Sequence, residues 1–450
     1  MKLEKFIYNI LQSPKKSFLI YLITFILFVL SIATFPTQII KAKMLPSKDS
    51  DTFSIYLDLK DGSSINQTKE VTNCIASNLQ KNENITNISV FLKEGQPLDF
   101  AALVKQSALK DKESQAEMMV NIKKAKERNI TSYNLITKLR SEVQKNCSLY
   151  DANIKFIELP AGPPVLASIV TEIYGGNNFQ NRRDFSLKIA QILKNQTTLV
   201  DIDVLADDDF IMYELELDNK KVITSNVDLE QIKNTLYLAF EGMKVSVINK
   251  SDAQNEIPIF LRLDDSRLLK NSSKDDLKAK LQNLKVINNL GNMVSISEFV
   301  TIKETLKEPT ITSKNLNPMI NVIAETSNDS QIYPLLNARD EMLKNLSNDY
   351  EIIKTDMLNL SFIDKNTKER FDLVFDGELK VTIDTFIDLG GAFIIALVLI
   401  FFLMVMYYKS FALSGGIVLS SFISIIGVIF AHIIMDLITA DTFYLTATSL

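Results

Sequence analysis

Apolar positions in this 450-residue chain are concentrated in three long runs, one near the start and two near the end. The first run, Ser17–Phe35, holds 19 residues without a charge. The other two are Leu389–Tyr408 and, after a short link, about Ala412–Met435. At about 1.5 Å per residue, each run reaches the roughly 30 Å hydrocarbon thickness of a bilayer. We therefore expect membrane helices over residues 17–35, 387–408 and 412–435.

Lysines at the ends of these runs set the expected orientation. Residues 1–16 contain four lysines and precede the first run, and Lys409 lies in the link between the last two. Positive charges favour the cytoplasmic side of a membrane. Residues 1–16 are therefore expected in the cytoplasm, and residues from about 36 to 386 on the opposite side as one large external region.

The first part of the external region shows a strand–helix–strand pattern twice. Strict alternation of polar and apolar positions over Asp51–Leu59 is typical of a half-buried strand. Helical stripes follow Ser64 and again Thr131 or Ser132, which are possible N-caps. The predicted strands are Asp51–Leu59, Ile85–Leu92, Met118–Ile122 and Asn153–Glu158. This order predicts a ferredoxin-like split βαβ, with four strands and two helices on one face.

The same pattern starts again after residue 168, but its two halves are far apart. The predicted strands are Ile169–Tyr174, Val200–Val204, Ile320–Glu325 and Tyr350–Lys354. Between the halves, residues 219–305 contain a separate set of elements. Its predicted elements are helices at Leu229–Phe240 and Lys274–Leu284 and strands at Lys244–Asn249 and Ile257–Leu263. We expect two similar α/β subdomains, the second interrupted by an insert.

The connection between the two subdomains is rich in proline. It reads LPAGPPVLASIVTEIYG over residues 159–175 and contains Pro160, Gly162, Pro163 and Pro164. Proline fixes φ, removes a donor and favours extended geometry in the residue before it. We expect a stiff, extended crossover between the subdomains, with a cleft beside it. An ordinary terminator of an edge strand is the alternative.

Composition argues against several classes of protein. A formal net charge of −5 does not suit a nucleic-acid binder. With one histidine, His432, and two cysteines, the external region offers no zinc-type ligand cluster and no nucleophile–histidine pair. No phosphate-binding glycine loop is present, and Asp207–Asp209 is interpreted as a solvated turn. We expect no enzyme activity, no metal site and no cofactor.

Other notable residues have structural interpretations. Gly390, Gly391, Gly415 and Gly416 favour close packing of the membrane helices. His432 is expected near the external end of the third helix, where snorkelling to the interface is favoured over a proton-transfer role. Met118 and Met119 are adjacent on a strand, so they point to opposite faces, and core packing is the preferred interpretation. A disulfide between Cys74 and Cys147 is left open, because the sequence does not fix their distance.

Three segments carry a resemblance to a known family. They are KMLPSKDSDTFSIYLDLKDGSSINQTKEV, NIKKAKERNITSYNLITKLRSEV and ELPAGPPVLASIVTEIYG. Together with the helix topology, they resemble the C-terminal half of RND-superfamily, AcrB-like efflux permeases over essentially the whole chain. The resemblance implies an α+β membrane protein with two porter subdomains and a docking subdomain inserted in the second. Their expected ranges are 36–168 for the first porter subdomain, 169–218 and 306–386 for the second, and 219–305 for the docking subdomain, with residues 443–450 starting a further membrane helix that is cut short.

What the resemblance implies for function is export of small molecules, from the periplasm or the inner membrane, driven by protons. Such permeases work in the bacterial inner membrane as trimers, with a periplasmic adaptor and an outer-membrane channel. Their proton-relay residues lie in membrane helices that this chain does not contain, so a separate N-terminal half is an expected partner. The substrate is not predicted.

Two other functions remain open at this point. A SecD-like accessory of protein export also has a large external domain after one membrane helix, but it lacks the interrupted second subdomain expected here. A membrane sensor needs a cytoplasmic output module after its second helix. The link Lys409–Phe411 is too short to hold one.

Overall fold

The structure is a computed structural model that describes residues 8, 12–35, 37–43, 45–159, 162, 165–253, 256–263, 273–327, 329–356, 358–438 and 444–446. The chain forms two compact units. One unit is Asp209–Pro309, and the other combines Met1–Asp208 with Thr310–Leu450.

The described helices and strands are numbered in chain order. The helices are α1 (Pro14–Ala33), α2 (Ile65–Leu79), α3 (Phe100–Val104), α4 (Ser132–Asn146), α5 (Phe179–Lys194), α6 (Asn219–Thr224), α7 (Leu229–Phe240), α8 (Lys274–Asn283), α9 (Ile332–Asn345), α10 (Glu378–Tyr408) and α11 (Phe411–Ile438). The strands are β1 (Ala42–Lys43), β2 (Thr52–Asp58), β3 (Ile85–Leu92), β4 (Gln115–Ile122), β5 (Asn153–Ile157), β6 (Ile169–Gly175), β7 (Leu199–Leu205), β8 (Ile211–Leu217), β9 (Met243–Ile248), β10 (Ile257–Leu261), β11 (Lys285–Ile287), β12 (Met293–Ser295), β13 (Val300–Leu306), β14 (Thr312–Lys314), β15 (Asn317–Thr326), β16 (Tyr350–Lys354), β17 (Leu360–Asp364), β18 (Arg370–Asp376) and β19 (Leu445–Thr446).

Within the described part of the chain, three helices, α1, α10 and α11, are long and apolar enough to cross a membrane. They contain most of the three apolar runs of the sequence. Helix α10 begins at Glu378, well before the predicted residue 387. Its first turns bury Leu379 and Thr382, and Leu379 belongs to the core of the second subdomain. The helix is therefore longer than its apolar run, because its first part packs against the α/β region.

The first subdomain contains one four-stranded antiparallel sheet. Its strand order is β3-β4-β2-β5, which is the order of a split βαβ. The helices α2 and α4 cover one face, and the core between them includes Ile55, Val71, Met118, Leu139 and Phe156. Met118 is fully buried there, as the core-packing interpretation predicts.

A disulfide closes the helical side of this subdomain. It joins Cys74 of α2 to Cys147, the residue after α4, with the two Cα atoms 5.8 Å apart. The sequence left this bond open, because 73 positions separate the two cysteines and no local pattern sets their distance. The fold brings them together because α2 and α4 lie side by side on the same face of the sheet.

The second subdomain differs from the predicted four-stranded sheet. Its order is β14-β15-β6-β18-β17-β16, and β7 also pairs with β15. In a split βαβ the fourth strand, here β16, would lie next to β6. That place is taken by β18, because the chain continues past β16 into an antiparallel hairpin, β17–β18, that the sequence analysis did not predict. The core contains Phe185, Leu335, Phe362 and Phe371.

The insert is longer than predicted. Strand β8 pairs along its whole length with β13, and neither strand was predicted. This antiparallel ribbon places the unit boundaries at Asp209 and Pro309 rather than at 219 and 305. The core of the unit contains Val222, Ile232 and Phe299.

Of the predicted helix over 443–450, only residues 444–446 lie within the described part of the chain, and they include a two-residue strand. Leu445–Thr446 (β19) pairs in parallel with Ala42–Lys43 (β1), directly after α1. The Leu445 N–H donates to the Lys41 carbonyl at 3.0 Å, and the Leu445 side chain is buried against Ile40 and Ile429. Pairing with β1 thus satisfies backbone groups that were expected to bond within a helix.

Candidate functional site

Among the described residues, four ion pairs join residues 52–157 of the first subdomain to the second subdomain, and we call the boundary they define the seam. In each pair the first subdomain supplies the cation and the second supplies the carboxylate. The pairs are Lys105–Glu325 at 2.7 Å, Lys112–Asp207 at 2.7 Å, Arg140–Asp201 at 3.3 Å, and Lys155–Asp203. The subdomains therefore meet through complementary charges, whereas each of their cores is apolar.

Lys155 is a buried cation of the seam that contacts a carboxylate on each side. Its ammonium contacts Asp58 of its own sheet at 2.7 Å and Asp203 of the second subdomain. Burial alone would lower the pKa of Lys155, but the two carboxylates outweigh burial and raise it. Lys155 therefore keeps its charge, and its removal would leave two carboxylates facing each other.

Asp201 reaches across the seam from a distorted part of β7. Its φ is +52°, and the pairing of β7 with β15 shifts register nearby. A bulge re-aims side chains, and aspartate tolerates a positive φ better than most residues. The carboxylate accepts the Phe156 N–H at 3.0 Å and an amide N–H of Gln144 at 3.2 Å. It thus caps the free edge of β5.

The Lys105–Glu325 pair also fixes the end of the crossover. The Lys105 ammonium donates to the Leu166 carbonyl at 3.0 Å, and the Ser168 N–H donates to Glu325 at 3.2 Å. Burial would raise the pKa of Glu325, but Lys105 and Ser168 lower it below its ordinary value. This carboxylate is therefore ionised and holds residues of both subdomains.

A cavity of about 90 Å³ lies at this end of the seam, beside the crossover. Seven charged residues line it, namely the cations Lys43, Lys48, Lys105 and Arg140 and the carboxylates Glu158, Glu325 and Glu378. At roughly 30 Å³ for each water molecule, the volume suits about three waters. A larger hollow of about 550 Å³ at the edge strand β16 is wide open and lies away from the seam residues. The smaller, charged cavity is the better candidate for chemistry.

The second subdomain is also bonded to segments that lead into the membrane helices. Lys41, shortly after α1, donates to both carboxylate oxygens of Asp329 at 2.9 and 2.8 Å. The Ser330 hydroxyl donates to the Ala42 carbonyl at 2.7 Å, and the Gln331 amide donates to the Thr382 hydroxyl of α10 at 3.0 Å. These bonds join α1 and α10 to the start of α9.

Comparison with known proteins places this architecture in a family. The profile of the AcrB/AcrD/AcrF family matches residues 2–443. This chain belongs to that family. The resemblance to RND-superfamily permeases drawn from the three sequence segments is therefore confirmed at the level of the family, and the protein is homologous to efflux transporters. No curated protein was found as a sequence relative.

Solved structures with a similar fold include a heavy metal efflux pump in two crystal forms. The TM-scores are 0.70 and 0.66, both at 14% sequence identity. These matches cover 100% and 98% of this chain but only 42% and 41% of the solved chains. The chain thus spans less than half the length of these pumps, and at this identity the likeness concerns the fold alone.

The described residues that flank the predicted crossover lie at the end of the seam. Pro160, Pro163 and Pro164 are outside the described residues, and Gly162 lies in a bend. On either side of them, Leu159 and Val165 line the polar cavity. The role of the crossover in fixing the two subdomains stays a prediction.

The glycines predicted for helix packing make few contacts among the described residues. A Cβ on Gly390, Gly391 or Gly416 would meet no atom within 4 Å, and one on Gly415 would meet only a Phe401 ring carbon at 3.9 Å. Their packing against another helix stays a prediction. His432 is bonded within its own helix, with Nδ1 2.8 Å from the Val428 carbonyl.

The interpretation of Asp207–Asp209 as a solvated turn is wrong for Asp207. Asp207 binds Lys112 and accepts the Thr310 N–H at 2.9 Å, and Asp208 binds Arg183 at 2.6 Å. Burial raises the pKa of Asp207, but Lys112 and Thr310 outweigh it and lower the pKa to about 2. The partners of Asp207 are 95 and 103 positions away, so no local pattern shows them.

Proposed function

We propose that this chain is part of a proton-driven RND efflux permease that exports small molecules through a trimeric, tripartite assembly. In this proposal residues 36–168 are the first porter subdomain, and 169–208 with 310–386 are the second. Residues 209–309 are the docking subdomain. The observation that carries the proposal is the family match over residues 2–443, together with a charged seam and cavity between two α/β subdomains. Opening and closing at the seam would alternate the access of substrate.

Several observations support a location in the inner membrane with a large periplasmic region. Three helices have the length and composition of membrane spans, and four lysines precede the first. The disulfide Cys74–Cys147 suits an oxidising compartment such as the periplasm. Residues 1–16 and Lys409 would then be cytoplasmic.

The proposal requires partners for the proton step and for the exit path. The first half of the permease would supply the proton-relay helices. Gly390, Gly391 and Gly416 have no close neighbour among the described residues, so they are available to pack against its helices. A periplasmic adaptor and an outer-membrane channel would complete the assembly around a homotrimer of permeases.

The test is to tag the chain at its native level, isolate it from membranes in mild detergent and determine the mass and composition of the complex. Efflux is measured in parallel in cells with and without the gene, with and without a protonophore, on a panel containing a cationic dye, a bile-type detergent and Cu⁺. We expect three copies of the chain with three copies of a permease N-terminal half, and a protonophore-sensitive loss of efflux of at least one panel member in the deletion strain.

Two results would contradict the proposal. If the chain is isolated as a monomer without a second membrane polypeptide, the proposed complex has no source for the proton pathway. If every panel member accumulates to the same level in the deletion strain as in the wild type, the chain does not take part in their transport. In the same efflux measurement, Lys155→Met is the test variant, because Lys155 lies in the seam. Lys60→Met is its matched control, because Lys60 forms an exposed pair with Asp151.

A further inference from the structure

Residues 40–43, which contain β1, are bonded to elements on two sides, and we call them the junction. The bonds toward α9 include two from hydroxyl groups. The Ile40 carbonyl accepts the Tyr333 hydroxyl of α9 at 3.3 Å. The Ala42 carbonyl accepts the hydroxyl of Ser330, which lies just before α9, at 2.7 Å. The backbone of the junction is therefore fixed to the second subdomain.

An ion pair adds to these two bonds. The Lys41 ammonium donates to both carboxylate oxygens of Asp329, whose side chain is 14% exposed. A charge-assisted contact that is partly buried contributes more than an exposed ion pair does. Three side chains at the start of α9 thus hold three successive residues of the junction.

On its other side the junction contacts β19 and α11. Strand β1 pairs in parallel with β19, and the Lys41 carbonyl accepts the Leu445 N–H at 3.0 Å. The Leu445 side chain is fully buried in one apolar cluster with Ile40 of the junction and Ile429 of α11. Ile40 and Ile429 are 3% and 1% exposed. Helix α11 is thus packed against the same short segment that is bonded to α9.

Helix α10 has its own attachment to the second subdomain. Leu379 in its first turn belongs to the core of that subdomain. The Thr382 hydroxyl of α10 accepts the Gln331 amide at 3.0 Å, and both of these side chains are fully buried. A break in the junction should therefore release α11 from the second subdomain without releasing α10.

We propose that the junction couples α11 to the second subdomain: a displacement of α11 around Ile429 moves residues 40–42, and their bonds to α9 pass the movement on. Close-packed side chains transmit displacement because they compress little. The apolar contacts and the polar bonds engage the same residues, so neither neighbour shifts without straining the other. This coupling is a property of the chain itself and does not depend on transport.

The test uses the full chain in lipid nanodiscs with two pairs of spin labels. Both pairs share Lys344→Cys, an exposed position on α9. The second label is Leu437→Cys on α11 in one pair and Ile387→Cys on α10 in the other. These two side chains are 80% and 61% exposed, and the native cysteines are joined in the disulfide. The two distance distributions then report on α11 and α10 separately.

Two variants break the junction from opposite sides. Lys41→Met combined with Tyr333→Phe removes the ion pair and one hydroxyl bond to α9. Leu445→Ala truncates the side chain that packs between the junction and α11. The matched control combines Lys380→Met with Tyr237→Phe, because Lys380 belongs to an exposed ion pair and Tyr237 is 55% exposed.

We expect one narrow distance for each label pair in the wild type. Each junction variant should add a second population to the α9–α11 distance and leave the α9–α10 distance narrow, and the control should match the wild type. An α9–α11 distance that stays narrow in either junction variant would overturn the proposal. So would equal broadening of both distances, because the subdomain itself would then have loosened, or an α9–α11 distance that is already broad in the wild type.

Discussion

The two α/β subdomains begin from the same strand–helix–strand pattern but are stabilised and attached differently. The first is a four-stranded sheet closed by its own disulfide. The second extends its sheet with β17 and β18 and is bonded to α1 and α10 through Lys41–Asp329 and Gln331–Thr382. The second subdomain is thus continuous with the membrane helices, whereas the first meets the second through a charged seam.

Because of this difference, we expect the molecule to separate at the seam without unfolding either core. Each core excludes water and loses several kcal/mol when one large side chain is truncated. The seam consists of ion pairs, and several of their side chains are partly exposed. Such pairs contribute little net stability, because water solvates the separated charges almost as well. We therefore expect the first subdomain to move as a body, while the second moves with the membrane segments.

The largest expected effect is the loss of stability on truncating a side chain in the core of the second subdomain. Phe185 of α5 is 1% exposed and stacks on Phe371, with ring centroids 4.4 Å apart. Phe185→Ala should lower the free energy of unfolding of this subdomain by about 3–5 kcal/mol. Leu187→Ala on the same helix is the control, since Leu187 is 46% exposed. Pulse proteolysis in increasing urea measures both, and equal effects would show that the core is not where we place it.

The next largest effect is a loss of stability in the first subdomain alone. Replacing Cys74 and Cys147 with alanine removes the disulfide and should destabilise the first subdomain by about 2–4 kcal/mol. The second subdomain should unfold at an unchanged urea concentration, because the bond lies outside it. Proteolytic fragments assigned to each subdomain distinguish the two transitions. A joint shift of both would mean that the seam couples them into one cooperative unit.

A smaller effect is expected in the seam itself. Lys155→Met leaves Asp58 and Asp203 facing each other and should weaken the seam by about 1–3 kcal/mol, less than for a fully buried pair, because water reaches both carboxylates. Lys60→Met breaks the exposed pair with Asp151 and should leave the seam unchanged. The distance between spin labels at Lys138→Cys on α4 and Lys344→Cys on α9, two exposed positions, reports both variants. An unchanged distance distribution in Lys155→Met would contradict a role for this ion pair.

The smallest effect is the acid response of Asp207. Its pKa of about 2 lies below the ordinary aspartate value of about 3.9, so its stabilisation is complete above the ordinary value and is lost as the pH falls through about 2. Asp207→Asn should remove this part of the acid sensitivity. Label distances measured between about pH 5 and pH 2 test it. Identical acid curves for the variant and the wild type would assign the response to other groups.

Local pattern was enough to predict most individual elements. The strands at Ile85–Leu92 and Tyr350–Lys354 and the helix at Leu229–Phe240 have the predicted bounds. Strands β8 and β13 were missed, although Ile211–Leu217 alternates. Several of their side chains are exposed, and a ribbon is recognised only from its partner strand. The β17–β18 hairpin was missed because the predicted split βαβ was already complete at β16.

The site was much harder to predict than the fold. No seam residue was identified from the sequence, because each ion pair joins residues far apart in the chain, such as Lys105 and Glu325. The alternation of Asp201 and Asp203 in β7 indicates a polar face, but nothing local says what faces it. The proline-rich crossover was the one sequence signal that pointed to this place, since its flanking residues line the cavity.

The most direct test of the account is hydrogen exchange of the full chain in nanodiscs, resolved to the strands of both subdomains. We predict that amides that bond across the seam, such as the Phe156 N–H on Asp201, open with a lower free energy than the amides of the core strands β2 and β6, and that both cores keep their protection while the seam opens. Equal protection of the seam and the two cores, lost together in a single transition, would contradict a separable first subdomain.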